Sequence, residues 1–246
     1  MDYINESYKI SIIITLYNCK EYIIDSVKSV ESQTHKNWEL IIVDDCSTDG
    51  SFEIIQEYLN FINDNRIKLI KNDKNIGCYC SVNEGILVST GDFITRLDSD
   101  DKFKPTKLEK QLDYLLKNPN KMAVVCYFLR EGAYPDVGDV TIMFKKQVIN
   151  DIGYYDSVRF GADSEFYWRI GKYYNQAIGK INETLYLAKK RPNSLTTSKI
   201  TGNAKIRQDY VSCYHPWQDE SKRKKKLYMY YPLLDRPFKV NPIMLP

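Results

Sequence analysis

A mostly parallel, open α/β sheet flanked by helices is the fold this chain predicts, and three observations predict it. The runs KISIIITL (residues 9–16) and WELIIV (residues 38–43) are continuous, apolar and β-branched, as strands covered on both faces are. Segments of helical period lie between such runs; in residues 21–31, Ile23, Ile24, Val27 and Val30 share one face. Carboxylates then fall directly after two of the strands, where an open α/β sheet binds its ligands.

The elements follow in order. Strands are expected at residues 9–16, 38–43, 66–70 and 92–97, and helices at 21–31, 49–62, 79–88 and 105–116. Asp49 suits the N-cap of the second helix, and Pro105 sits in the first turn of the fourth, where its missing N–H costs least. This alternation implies βαβ units with right-handed crossovers. After about residue 118 the pattern changes to strands at 123–129, 140–144 and 178–187 and a helix at 164–172. We therefore expect one domain over residues 1–209, with a binding half at 9–118 and a second half at 119–209. A basic, aromatic, proline-containing tail follows at 210–246, either folded over the domain or reaching a partner.

Composition narrows the function classes. A chain of 246 residues with 43% hydrophobic and 27% charged residues is an ordinary soluble one, and a net charge of +3 suggests no nucleic-acid partner. The short run SKRKKK (residues 221–226) reads on its own as a solvated basic patch. Its neighbour LYMYYPLL makes a second reading available: peripheral contact with an anionic membrane surface, at about 1 kcal/mol per basic residue. Cys19, Cys46, Cys78, Cys80, Cys126 and Cys213 form no CxxC pair and read as reduced thiols. The opening MDYINESYK has no signal-peptide core, and no apolar run approaches the ~20 residues of a membrane span. The expected location is the cytoplasm, or the cytosolic face of a membrane.

WELIIV runs into Asp44 and Asp45, and FITRL into Asp98, Ser99, Asp100 and Asp101. Five carboxylates at one sheet edge repel one another unless a cation and hydrogen-bond donors neutralise them. Asp-x-Asp at a strand end suits Mg²⁺ or Mn²⁺ held together with substrate phosphates, which takes only one or two protein carboxylates. Each aspartate taken singly is equally an N-cap or turn former.

These stretches resemble the family 2 glycosyltransferases and their GT-A fold. The resemblance rests on SIIITLYNCKEYIIDSVKSVESQTHKNWELIIVDDCSTDGS and DKNIGCYCSVNEGILVSTGDFITRLDSDD; it covers residues 9–110 closely and 140–200 loosely. It implies a metal-dependent enzyme that moves a sugar from a nucleotide-sugar donor, with UDP favoured, to a glycan, lipid-linked or protein acceptor. It also implies roles: Thr15, Tyr17 and Asp45 hold the base, Asp98 contacts ribose or sugar, and Asp100 ligates Mn²⁺ or Mg²⁺. Asp101 would bond the donor sugar or support its loop, while Asp44 would be structural.

FGADSEFYWR (residues 160–169) resembles the family's acidic motif at a helix start below the acceptor, with Ala162 where Glu is common. Asp163 is the expected general base of an inverting reaction and Glu165 the alternative. The structural alternative has Asp163 capping the helix and Glu165 pairing with Arg169 four residues on. KKRPNSLT (residues 189–196) resembles a stretch that often carries a metal-binding His; here Arg191 stands at about that place and would meet the diphosphate. The chain's two histidines are His35, expected at the surface, and His215 in the tail. The altered acidic motif and the missing His keep open a non-catalytic module that binds a sugar nucleotide or glycan. A nucleotidyltransferase needs a Gly-rich phosphate loop after the first strand, and LYNCKEY has no glycine.

Overall fold

The computed structural model describes residues 7–191, 194, 202–223, 227–232 and 236–246. Four strands form the parallel half of the sheet: β1 (Ile10–Leu16), β2 (Trp38–Asp44), β3 (Ile67–Lys71) and β4 (Phe93–Asp98). β1 lies between β2 and β4, and β2 between β1 and β3, all parallel. The chain therefore steps outward from β1 through β2 to β3, then returns across β1 to β4. That reversal is a topological switch point, where the helical connections leave a crevice beyond the strand ends.

The apolar runs form this half because both faces of β1 and β2 are covered. Alternate residues point to opposite sides of a strand. Ile10, Ile12, Ile14 and Leu16 accordingly enter one core with helices α1 (Ile23–Glu31), α2 (Ser51–Ile62) and α4 (Lys107–Lys117). Ile13 enters the other core, with α3 (Cys78–Val88).

The second half extends the same sheet. Its strands are β5 (Lys102–Phe103), β6 (Ala123–Arg130), β7 (Asp136–Val137), β8 (Met143–Lys145) and β9 (Ile178–Ala188). The order along the sheet is β3-β2-β1-β4-β8-β6-β9-β5, with β7 on β6. β8 runs antiparallel to both neighbours, so the sheet is mixed beyond β4. The strand expected at 140–144 begins later, because residues 139–141 form a 3₁₀ turn. The Thr141 hydroxyl replaces ladder bonds there: the Cys126 N–H donates to it at 3.0 Å, and it lies 3.1 Å from the Cys126 carbonyl.

Two further helices, α5 (Gln147–Ile152) and α6 (Ala162–Tyr173), cover the second core. α5, β5 and β7 have no counterpart in the sequence pattern, being too short to show a period. The fourth helix starts at Lys107 rather than at Pro105, and the second at Ser51 with Gly50 as its N-cap. Asp49 still serves that end, accepting the Ser51 N–H at 2.9 Å. His35 is buried, not at the surface: its Nε2 lies 3.1 Å from the Tyr8 carbonyl and 3.0 Å from that of Asn37, tying the starts of β1 and β2.

Helix α7 (Ala204–Arg223) starts before residue 210 and runs past it, carrying Pro216 inside. It buries Tyr210 and Tyr214 in the second core. Beyond it Leu227 and Met229 are buried, and Met229 lies against Gly153 so closely that a Cβ there would sit 1.9 Å from its carbonyl oxygen. Leu227 and Met229 of LYMYYPLL are thus spent on the protein's own core, while Tyr230 points outward. Lys224, Lys225 and Lys226 of the basic run lie outside the described residues. Among those residues no helix is long and apolar enough to cross a membrane. All six cysteines are free thiols.

Candidate functional site

Register places the site. β1 pairs with β2 so that Leu16 lies beside Asp44, and with β4 so that Thr15 lies beside Asp98. Tyr17, Asp45 and Ser99 therefore emerge together at one edge. A cavity of about 680 Å³ opens there, of the size that small-molecule sites have. Its walls include Thr15, Tyr17, Asp45, Asp98, Asp100, Asp101 and Arg191, which are all the expected donor and metal residues. Tyr17 is 46% exposed, so its ring is available for stacking. Asp44 does not line the cavity; it is fully buried and accepts the Ser47 N–H at 3.1 Å.

Asp45 is held by the loop that follows β3. Its carboxylate accepts from the backbone N–H groups of Ile76 and Gly77, both at 2.8 Å, and from Asn72 Nδ2 at 3.1 Å. A carboxylate has about four lone-pair positions, so one remains for a ligand. Gly77 has φ +86°, a left-handed conformation that favours glycine, and this turns its N–H onto Asp45.

At the other end the acidic cluster is partly neutralised by the protein itself. Arg191 Nε donates to Asp100 Oδ2 at 2.5 Å. Tyr186 OH donates to Asp101 Oδ2 at 2.7 Å, and the Lys189 N–H to Asp101 Oδ1 at the same distance. β5 makes this possible: Lys102 pairs with Leu187, which sets Asp101 against the end of β9. Asp101 is buried and built into the loop. Burial, and then the Asp98 charge, raise the Asp100 carboxyl above its ordinary range, against the opposing effect of Arg191. Burial and the charges of Asp98 and Asp100 push Asp101 well above it. Hard carboxylate oxygens under mutual repulsion fit a divalent cation. Among the described residues no three His, Cys, Asp or Glu side chains gather as a ready cation site, so substrate oxygens would complete the ligand set. His215 lies elsewhere, on α7, with Nδ1 3.1 Å from Lys172 Nζ and its ring against Trp168 and Tyr214.

Arg96 connects this cavity to the expected base, and sequence reading missed it. It sits inside β4, 5% exposed, and pairs with Asp98. Its Nη1 lies 4.0 Å from Asp163 Oδ2 and donates to Tyr79 OH at 3.3 Å. A buried arginine is unusual enough to notice in FITRL, but sequence gives no hint of which carboxylates it meets. Asp163 stands at the second residue of α6, partly exposed, and its Oδ1 accepts the Ser164 N–H. Beside it is Asp139, also unflagged by sequence, whose carboxyl burial and the Asp163 charge push up to about 6.

Glu165 is placed differently. It and Arg169 are both fully buried and paired at 2.8 Å, and Arg169 also donates to the carbonyls of Ile152 and Tyr154. Gln218 of α7 donates to Glu165 as well. This arrangement staples α6 to the segment after α5 and to α7; neither Glu165 nor Asp163 lines the cavity, but Asp163 is tied to its wall through Arg96 and Asp98. Glu165→Ala is expected to lower the unfolding free energy by about 3–5 kcal/mol, because Arg169 is left charged and buried. Urea denaturation of the variant measures this; a loss under ~1 kcal/mol would contradict it.

Comparison with known proteins agrees with this geometry. Residues 11–167 match the family model described as Glycosyl transferase family 2. EpsE of Bacillus subtilis, provisionally described as a glycosyltransferase, is 42% identical over 120 residues, 49% of this chain and 43% of that one. The Escherichia coli UDP-Glc:alpha-D-GlcNAc-diphosphoundecaprenol beta-1,3-glucosyltransferase WfaP is 43% identical over 106 residues, 43% of this chain and 41% of its own length. The chain thus spans less than half the length of these relatives. The mannosyltransferase PcManGT from Pyrobaculum calidifontis, solved with GDP-Man and Mn²⁺, superposes with a TM-score of 0.70 at 15% identity, covering 91% of this chain and 70% of that one. That likeness shows the shared GT-A fold.

Proposed function

Since this chain belongs to glycosyl transferase family 2, we propose that it is an inverting glycosyltransferase. It would move a sugar from a UDP-linked donor to an acceptor hydroxyl during glycan assembly. The observation that carries the reading is the cavity at the β1/β4 switch point, with Asp45 at one end, Asp98, Asp100 and Arg191 at the other, and Asp163 tied to Asp98 through Arg96. A lipid-linked glycan is the acceptor class we favour, by analogy with the activity named for WfaP.

The residues divide the work. Tyr17 offers a ring face to the base, and the remaining lone pair of Asp45 accepts a base N–H. Asp98 contacts the ribose or sugar. Asp100 would hold Mn²⁺ or Mg²⁺, which would supply charge neutralisation for the leaving diphosphate. Arg191 exchanges its ion pair with Asp100 for diphosphate oxygens, which a guanidinium meets in a bidentate fork. Asp163 accepts the proton of the attacking hydroxyl, with the Arg96 guanidinium 4.0 Å from its carboxylate.

The base assignment is open to a direct test. UDP is expected to bind more tightly than GDP or CMP in calorimetry with Mn²⁺ present. Equal affinities, or a preference for either competitor, would overturn the uridine assignment.

A further inference from the structure

Arg159 is absorbed by no motif, and yet it lines the cavity at its Asp45 end. It stands just before α6, far in sequence from the loop after β3, and three contacts fix it. Its N–H donates to the Met244 carbonyl at 2.7 Å, and its Nε to the Leu245 carbonyl at 2.8 Å. Its Nη1 donates to Asn75 Oδ1, also at 2.8 Å. Met244 is fully buried in the second core, so the segment that holds Arg159 is itself anchored. Asn75 in turn donates to the Asp45 carbonyl at 3.2 Å. Arg159 and Asp45 thus both line the cavity and are both bonded to the loop after β3.

Five N–H groups make up a guanidinium, and these contacts use two. Three donors therefore remain on this residue of the cavity wall, which it shares with Asp45 and its one remaining lone pair. We infer that Arg159 reads the donor's nucleobase together with Asp45: Arg159 gives a hydrogen bond to a ring carbonyl while Asp45 accepts from the adjacent ring N–H. This inference rests on the donor-nucleotide reading above. An edge with a carbonyl beside a ring N–H belongs to uracil (O4, N3–H) and to guanine (O6, N1–H). Cytosine and adenine carry the reverse pattern, an amino group beside a bare ring nitrogen. Against them, Arg159 would face a donor and Asp45 a lone pair, leaving both sets of buried polar groups unpaired. The pair therefore selects a keto edge over an amino edge.

The test is calorimetric titration of UDP, GDP, CDP and ADP into the wild-type chain, Arg159→Met and Arg159→Lys, with thermal melts as a folding control. Wild type is expected to bind UDP at least about 30-fold more tightly than CDP. Arg159→Met should weaken UDP by roughly tenfold and change CDP by less than about threefold, so that the ratio collapses. Arg159→Lys keeps the charge but loses the planar fork, and should fall between. A merely structural role would weaken UDP and CDP equally; that result, or CDP binding as tightly as UDP in wild type, overturns the inference. GDP binding more tightly than UDP would overturn the uridine assignment while leaving Arg159 in its role. No binding by any of the four would overturn both.

Discussion

Asp163→Asn is expected to lower turnover by at least about 10²-fold while donor binding changes little. Asparagine keeps the size of the side chain and can still accept the Ser164 N–H that Asp163 accepts. It cannot take a proton at neutral pH, so only the transfer step should suffer. A split between kcat and KM reads the effect. An Asp163→Asn enzyme with unchanged kcat would remove Asp163 as the base, and the buried pairing of Glu165 with Arg169 leaves Glu165 no route to the cavity to replace it.

Asp100→Ala is expected to reduce metal-dependent turnover by roughly 10²–10³-fold, the worth of a few kcal/mol of charge stabilisation at the leaving group. Its fold should survive. The variant loses the Arg191 ion pair, but it also relieves the like-charge repulsion that raises the carboxyls of Asp100 and Asp101. The readout besides activity is UDP affinity with and without Mn²⁺: wild type should gain affinity with the ion and Asp100→Ala should not. Turnover that persists in EDTA, or in the variant, would sink the metal assignment.

The parallel half of the fold was legible because β1, β2 and β4 are buried on both faces while α1 and α4 bury one, which writes two different periods into the sequence. Asp45, Asp98, Asp100 and Asp101 were legible for a related reason. A strand end is the one place where a period breaks at a known position relative to the sheet, and parallel register then brings those ends together. Arg96, Asp139 and Arg159 were not legible. Arg96 lies within a strand whose alternation it merely interrupts, and its meaning comes from Asp98 and from Asp163, the latter 67 positions further along the chain. Arg159 becomes a cavity residue only through Asn75 and the residues around Met244, contacts between segments 84 and 86 positions apart. The extent of α7 was hidden too, because Pro216 and the surrounding charges mask a helix whose buried side is a sparse set of Tyr210, Tyr214, Gln218 and Ser221.

One measurement bears most directly on the claim that this cavity transfers sugars with inversion: time-resolved NMR of a panel of α-linked UDP-sugars incubated with the chain and Mn²⁺. With water as acceptor, the account predicts that at least one donor is hydrolysed and that the β-anomer of the free sugar is the first product. An α-anomer appearing first would contradict the single-displacement mechanism, and UDP binding without turnover of any donor would make the chain a binding module instead.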